Sequence, residues 1–268
     1  MPGDPDPEYV RARRALLDVL DALIEHRDAI VLVGAQAIYL HTGDANLTVA
    51  EFTTDADIAI HPRDLDDSPL ISEALADGGF DPQADVGRWL SSDGVYVDIM
   101  VPEALAGPGS RGARLGPHGK FAARRARGLE GALVDRERHT IWALEPTDTR
   151  SATAWVADPG ALLVAKAHKI AERRGSTDRI RDKDALDVLR LLRAVPTAMM
   201  VERLTLLAGD EHAGPVTSEA RSQISELFVA VGAEGTEMAV RAAGSDEDPE
   251  TIAASMVALA NELLDLWR

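Results

Sequence analysis

The chain has 268 residues, 46% hydrophobic and 27% charged, which is typical of a globular protein with a substantial core. Its formal net charge of −17 argues against broad nonspecific adhesion to nucleic acid, although a local basic patch remains compatible with it. The lack of cysteine excludes disulfides, thiolate catalysis and cysteine-based zinc sites.

The first residues carry acids and prolines where a signal peptide would need a basic segment followed by an apolar one. No apolar run of about 18 residues is present, so we expect no membrane span and a cytoplasmic location. Apolar residues at helical spacing predict an amphipathic helix over residues 9–27. A short buried strand is predicted at 31–33 and a helix at 35–41, with Gly34 as the tight turn between them.

Residues 53–60, TTDADIAI, carry the first candidate site. On a strand, alternate side chains share a face, so Asp55 and Asp57 would project together. Two carboxylates held this close repel each other unless a cation lies between them. The pattern therefore predicts a divalent-metal site, and its alternative is a pair of solvated acids in a chain already rich in acids.

A β-hairpin is predicted next, with arms at 88–91 and 95–101 and a turn at 92–94. The second arm, VYVDIMV, places Asp98 among apolar neighbours, where an unpaired charge is costly. Three carboxylates from two adjacent strands can ligate Mg²⁺. At the strand–helix junction, the backbone of Gly34 and Ala35 and the side chain of Gln36 could donate hydrogen bonds to a phosphate.

The most basic part of the chain follows, within and just after a loop rich in glycine and proline at 107–119. Its cations are Arg111, Arg114, Lys120, Arg124, Arg125 and Arg127. A strand is predicted at 140–144, and from about residue 157 only helices are predicted, at 159–174, 183–192, 197–207, 219–231 and 249–268. We therefore predict an α/β domain over residues 1–157 and a helical domain over 158–268.

The helical half contains a second set of candidate residues. Lys166, Lys169 and Arg173 are spaced to share one helical face, and Lys166 follows an apolar run, which suits an inward lysine that neutralises phosphate. Asp184 and Asp187 share a face of the next helix, where one of them could orient Lys166 or an incoming nucleophile. The alternatives are a solvated basic face and acids favoured by a helix N-terminus.

Together, VLVGAQA, TTDADIAI and VYVDIMV resemble the nucleotidyltransferase superfamily with the polymerase-beta-type fold. The later segments AKAHKIAERR and RDKDALDVLRLL are similar to motifs of AbiE-type toxin nucleotidyltransferases, a group that includes the MenT-type toxins. The resemblance covers residues 25–195. It implies an α+β fold, in which an N-terminal mixed β-sheet flanked by helices is followed by a C-terminal helical domain.

The resemblance also implies roles for the residues already singled out. Mg²⁺ would be bound by three carboxylates, those of Asp55, Asp57 and Asp98. The phosphates of a nucleoside triphosphate (NTP) would contact the turn at Gly34 and Ala35 and a lysine, either Lys166 or Lys169. Asp184 would be the accompanying acid of the catalytic set.

The activity implied is transfer of a nucleoside monophosphate from an NTP to an acceptor hydroxyl. By resemblance, the acceptor is the 3′ end of tRNA, bound by the basic region 111–127, and the partner is a cognate antitoxin. A non-catalytic regulator or binding module is one alternative, favoured by Ala35, which offers no hydroxyl, and by the long interval between Gly34 and Asp55. A nucleotidyltransferase that modifies an antibiotic is another.

Overall fold

A computed structural model describes residues 5–43, 52–174, 182–245 and 247–268. The predicted α+β class is confirmed, with an N-terminal sheet region and C-terminal helices. The sequence between the helix predicted at 35–41 and the strand with Asp55 predicts a loop at 42–50, and from position 44 onward this loop lies outside the described residues. None of the helices in the described ranges combines the length and apolarity needed to cross a bilayer.

The chain divides into two compact units. The first comprises Met1–Ala37, Glu51–Ala126 and Arg136–Ala157, and it contains the whole of the described sheet. The second comprises Ile38–Ala50, Arg127–Asp135 and Asp158–Arg268. Two short segments from the first half of the chain thus belong with the C-terminal helices.

The strands of the first unit are β1 (Ile30–Val33), β2 (Asp55–Ile60), β3 (Asp81–Pro82), β4 (Arg88–Leu90), β5 (Tyr96–Pro102), β6 (Arg124–Ala126), β7 (Arg136–Trp142) and β8 (Ser151–Ala157). Their order across the sheet is β3-β4-β5-β2-β1-β8-β7, and β6 extends the β4 side of β5. The sheet is mixed, because β2 pairs parallel with β5 but antiparallel with β1. At its centre, β1 and the apolar part of β2 are buried, as their runs of Ile, Val, Leu and Ala require.

Helix α1 (Pro7–Ala22) packs against the sheet of this unit. Asp6 caps it by accepting a hydrogen bond from the Glu8 backbone N–H at 2.7 Å, and Pro7 occupies the first turn, where a missing N–H costs nothing. Its apolar stripe is buried, as the sequence periodicity predicts. The unit also contains α3 (Ile71–Asp77), and α2 (Gly34–Thr42) begins within it.

The second unit contains α4 (Pro159–Ala171), α5 (Asp182–Ala194), α6 (Thr197–Ala208), α7 (Ala213–Phe228), α8 (Glu234–Ala243) and α9 (Pro249–Leu266). Helix α4 is buried along most of its length and packs against α5, α6 and α7. Helix α5 packs in turn against α8 and α9. A helix enclosed in this way is apolar nearly all round, so a cation within it must be neutralised by its neighbours.

The elements differ from the sequence-based expectation in a few places. Strand β8 was not predicted, and β7 begins at Arg136 rather than at 140, because β7 is largely exposed and its polar residues hide the strand pattern. Short β6 lies just after the loop predicted at 107–119, in a basic segment for which no strand was predicted. Helix α8 was also missed, since glycines and small residues weaken its helical signal.

Candidate functional site

The candidate site of the first unit lies on one face of the sheet, where β2 and β5 run side by side. Asp55 and Asp57 are both half-buried on β2, and the two-residue spacing puts them on the same face. In the parallel register, Asp57 pairs with Asp98 and Asp55 pairs with Tyr96, so Asp98 projects from that face as well. We call Asp55, Asp57 and Asp98 the carboxylate face.

Gly34 follows β1 directly and lies against the Asp57 carboxylate. Its φ of +72° is a conformation that L side chains rarely adopt. A Cβ at this position would stand 2.1 Å from Asp57 Oδ2, so only glycine leaves room for the acid. Gly34 also begins α2, whose N-terminus favours negative charge nearby. The conformation of Gly34 and the position of the Asp57 carboxylate therefore depend on each other.

Asp98 is almost completely buried, and two arginines neutralise it. Arg88 donates from Nε to Oδ1 at 2.9 Å and from Nη2 to Oδ2 at 3.2 Å, and Arg124 donates to Oδ2 at 3.3 Å. Burial alone would raise the pKa of Asp98, but the hydrogen bonds and charges of Arg88 and Arg124 hold it below the ordinary value. The Arg88 guanidinium also stacks on the ring of Tyr96, 5.2 Å from its centroid.

Gln36 has a different role from the phosphate contact predicted for it. Its side chain is buried, and Nε2 donates to the backbone carbonyls of Ala12 at 3.0 Å and Asp55 at 3.1 Å. Its Oε1 accepts from Nε of buried Arg13 at 2.9 Å, and Arg13 also donates to the Tyr9 hydroxyl at 2.7 Å. Both amide hydrogens are therefore used internally, and Gln36 holds the backbone of Asp55 instead of facing a ligand.

The carboxylate face can be tested for its fit to a divalent cation. Carboxylate oxygens are the ligands that Mg²⁺ prefers, and the close approach at Gly34 makes room for Asp57. Asp55 is a second candidate ligand, and the buried Thr53 hydroxyl orients its carboxylate by donating a hydrogen bond to Oδ1 at 2.7 Å. Asp98 is already neutralised, so to act as a third ligand it would have to release a guanidinium. The chemistry of Asp55 and Asp57 thus suits a divalent cation, and metal binding by each of the three acids stays a prediction.

The second unit contains the predicted lysine cluster. Lys166 is buried, and its Nζ donates to Asp184 Oδ1 and Asp187 Oδ2, each at 2.6 Å. Burial would lower the pKa of Lys166, but the charges of Asp184 and Asp187 outweigh it and raise the pKa above its ordinary value. Burial would likewise raise the pKa of Asp184, yet the charges of Lys166 and Lys169 lower it. Lys166 and Asp184 are therefore both ionised at neutral pH.

Three cations from α4 and the turn after it converge on Asp184. Besides Lys166, Lys169 Nζ lies 3.1 Å from Oδ1 and Arg173 Nη1 lies 3.5 Å from Oδ2. The side chain of Lys166 is only 5% exposed, whereas those of Lys169 and Arg173 are 32% and 38% exposed. A phosphate arriving from solvent can therefore reach Lys169 and Arg173, while Lys166 serves to fix the acids.

No family model, curated protein or solved structure matches this chain.

Sequence reasoning missed Arg88 and Arg124, the two partners of Asp98. For Arg88 a signal existed: a hairpin that pairs Ser91 with Val95 places residue 88 opposite residue 98, which is the observed register. Arg124 had no local signal, because β6 reaches β5 through a long connection and pairs beyond the end of β4. The internal hydrogen bonds of Gln36 also had no local signal, because they involve Ala12 and Arg13 of α1, which precedes β1 in the chain.

Proposed function

We propose that this protein is a metal-dependent nucleotidyltransferase, which transfers a nucleoside monophosphate from an NTP to an acceptor hydroxyl and releases pyrophosphate. The observation that supports it best is the carboxylate face, with Asp57 fitted against Gly34 at the junction of β1 and α2. Asp55 and Asp57 would hold Mg²⁺, which neutralises triphosphate charge and activates the attacking hydroxyl when bound. The protein's own task is then mainly positioning and charge compensation.

The family resemblance assigns binding of the NTP phosphates to the lysine cluster of the second unit. Lys169 and Arg173 are the cations accessible to a phosphate, and Asp184 holds them in place. Lys166 is a positioning residue, since its ammonium is enclosed by Asp184 and Asp187. This assignment selects Lys169 from the two lysines that the sequence left open.

The acceptor and partner in this proposal come from the family resemblance. The 3′ end of a tRNA would be the acceptor, residues 111–127 the surface that binds it, and a cognate antitoxin the protein partner. These roles would be exercised in the cytoplasm. The strong acidity of the remaining chain, with a net charge of −17, favours a confined contact with RNA over an extended one.

The test is label transfer from α-³²P-labelled NTPs to total RNA in the presence of Mg²⁺. We expect labelled RNA from the wild-type protein and none from an Asp55→Asn/Asp57→Asn variant. An Asp77→Asn/Asp81→Asn variant changes the charge equally at exposed acids outside the carboxylate face and should retain activity. If the wild-type protein labels no RNA, protein or small-molecule acceptor, the proposal is refuted.

A nucleotide-binding module without turnover is the second candidate, and the state of Asp98 favours it. With both carboxylate oxygens held by Arg88 and Arg124, the third acid of the predicted set is already neutralised. Calorimetry with Mg²⁺ and each NTP separates the two candidates. Tight binding without label transfer would support the module, and binding with transfer would support the enzyme.

A further inference from the structure

A cleft of about 410 Å³ lies in the first unit, between α1 and the first residues of β8. The side of α1 that borders it carries Leu17, Leu20 and Asp21, and Ile24 in the turn after the helix continues the same stripe. Small-ligand pockets have volumes of about 300 to 1,000 Å³. The cleft is therefore large enough for a small organic molecule.

The cleft exists because β8 extends beyond the start of β1. Strand β7 pairs with β8 along its whole length, whereas β1 pairs with it only at Trp155 and Val156. Among the described strands, none therefore lies beside residues 151–154 on the β1 side. These four residues line the cleft together with Ile30, the first residue of β1. The cleft thus occupies the space that a longer β1 would fill.

This overhanging part of β8 directs main-chain groups towards the cleft. The Arg150 carbonyl accepts a hydrogen bond from the Ala143 N–H at 3.0 Å, on the side of β7. Hydrogen-bonded residues alternate along an antiparallel pair, so Ser151 and Thr153 direct their N–H and carbonyl groups away from β7. A ligand in the cleft thus meets hydrogen-bond donors and acceptors as well as side chains.

The inner wall of the cleft is apolar. Leu17, Leu20 and Ile30 are almost completely buried, and Ile24 beside them is 48% exposed. Covering this exposed part of Ile24 with an apolar group is favourable, because it removes apolar surface from water. The wall therefore suits an aliphatic side chain.

Three charged side chains line the cleft, and two of them have no ionic partner. Arg150 lies 2.6 Å from Asp18 Oδ1 and 2.8 Å from Asp148 Oδ2, so its charge is already compensated. By contrast, no oppositely charged group within the described ranges lies at ion-pair distance from Asp21 or Arg27, and the two do not pair with each other. The cleft therefore offers one unpaired carboxylate and one unpaired guanidinium beside an apolar wall.

We propose that this cleft binds a free apolar amino acid of about the size of leucine, with its α-ammonium group at Asp21 and its α-carboxylate at Arg27. The side chain of the ligand would lie on Leu20, Ile24 and Ile30. A zwitterion satisfies both charges at once, whereas a simple anion or cation satisfies only one. The inference is independent of the proposed nucleotidyl transfer, because it involves neither the carboxylate face nor the lysine cluster.

Binding of L-leucine is measured by ligand-observed NMR titration of the wild-type protein, without NTP or metal. N-acetyl-L-leucine lacks the ammonium group and L-leucinamide lacks the carboxylate. Each should bind at least about 10-fold more weakly than L-leucine, the loss expected for a hydrogen bond to a charged group. Glycine lacks the apolar side chain and should also bind at least about 10-fold more weakly.

Two variants identify the groups that bind the ligand. Asp21→Asn should weaken L-leucine binding about 10-fold and remove the preference for L-leucine over its N-acetyl derivative. Arg27→Gln should weaken it similarly and remove the preference over L-leucinamide. The controls Asp77→Asn and Arg63→Gln remove the same charges at exposed positions that do not line the cleft, and they should bind L-leucine normally. Thermal melting confirms that each variant is folded.

The outcomes do not depend on whether the protein transfers a nucleotide. Loss of these two preferences in Asp21→Asn and Arg27→Gln, with normal binding in the controls, supports the site. No binding of L-leucine or of any other apolar amino acid overturns the inference. Equal binding of L-leucine and its two derivatives by the wild-type protein also overturns it, because apolar contact alone would then explain the interaction. Binding of tri-leucine but not of leucine would overturn it in favour of a peptide that extends the sheet beside β8.

Discussion

Replacing Gly34 by alanine tests whether the fit between Gly34 and Asp57 creates the metal site. The added Cβ would stand 2.1 Å from Asp57 Oδ2, about 1.3 Å short of the 3.4 Å at which ordinary contact begins. Asp57 must then move, at a cost of roughly 0.5–1.5 kcal/mol if its side chain leaves its rotamer. The positive φ adds about 1–2 kcal/mol for any residue with a Cβ.

Gly79→Ala is the matched control, because Gly79 has a φ of +83° and nothing within 4 Å of its added Cβ. In urea denaturation, both variants should lose stability because alanine is strained at a positive φ. Only Gly34→Ala also displaces a carboxylate. We expect its Mn²⁺ affinity, measured by calorimetry, to fall roughly 10- to 100-fold, the range seen when the surroundings of a metal ligand are disturbed. Equal Mn²⁺ affinity and equal stability in the two variants would refute the fit between positions 34 and 57.

Three further predictions follow from buried polar groups. Lys166→Met leaves two buried carboxylates facing each other and should lower the free energy of unfolding by about 3–5 kcal/mol. Lys169→Met should lower it by less than about 1 kcal/mol, because Lys169 is partly exposed. Similar losses for the two variants in urea denaturation would contradict this. Gln36→Leu should cost about 1–3 kcal/mol and weaken Mn²⁺ binding, and wild-type Mn²⁺ affinity would show that the Asp55 backbone does not depend on it. The pKa values of Asp98 and Asp184 lie below the ordinary 3.8. The two carboxylates therefore stabilise the folded protein above about pH 4, and this contribution to the free energy of unfolding is lost as pH falls through the lowered pKa values. Urea denaturation of wild-type protein between pH 2 and 5 should show this loss, and Asp98→Asn should reduce it; an unchanged pH profile in that variant would contradict the role of Asp98.

The sequence predicted the parts of the site that depend on local periodicity. Alternation along β2 placed Asp55 and Asp57 on one face, and helical spacing placed Lys166 and Lys169 together. The apolar run before Lys166 also indicated that it points inward, as the structure has it. What these side chains contact was not available from periodicity, since it depends on neighbours brought together by the fold.

Asp98 illustrates the limit most clearly. An acid in an apolar strand demands a partner, but the sequence does not say whether the partner is a metal or an arginine. In the structure the partners are two arginines, and strand pairing brings both of them to Asp98. Arg88 comes from the adjacent hairpin arm, and Arg124 comes from a strand more than twenty residues later. Gln36 was misassigned for the same reason, because its partners Ala12 and Arg13 belong to α1.

The chain of hydrogen bonds from Tyr9 through Arg13 and Gln36 to the Asp55 carbonyl has a consequence for how this protein can evolve. Loss of Gln36 alone would deprive buried Arg13 of an acceptor, and loss of Arg13 alone would deprive Gln36 of a donor. Substitutions at positions 9, 13 and 36 should therefore be inherited together. A descendant that changes all three can keep its fold, but it must find another way to hold Asp55.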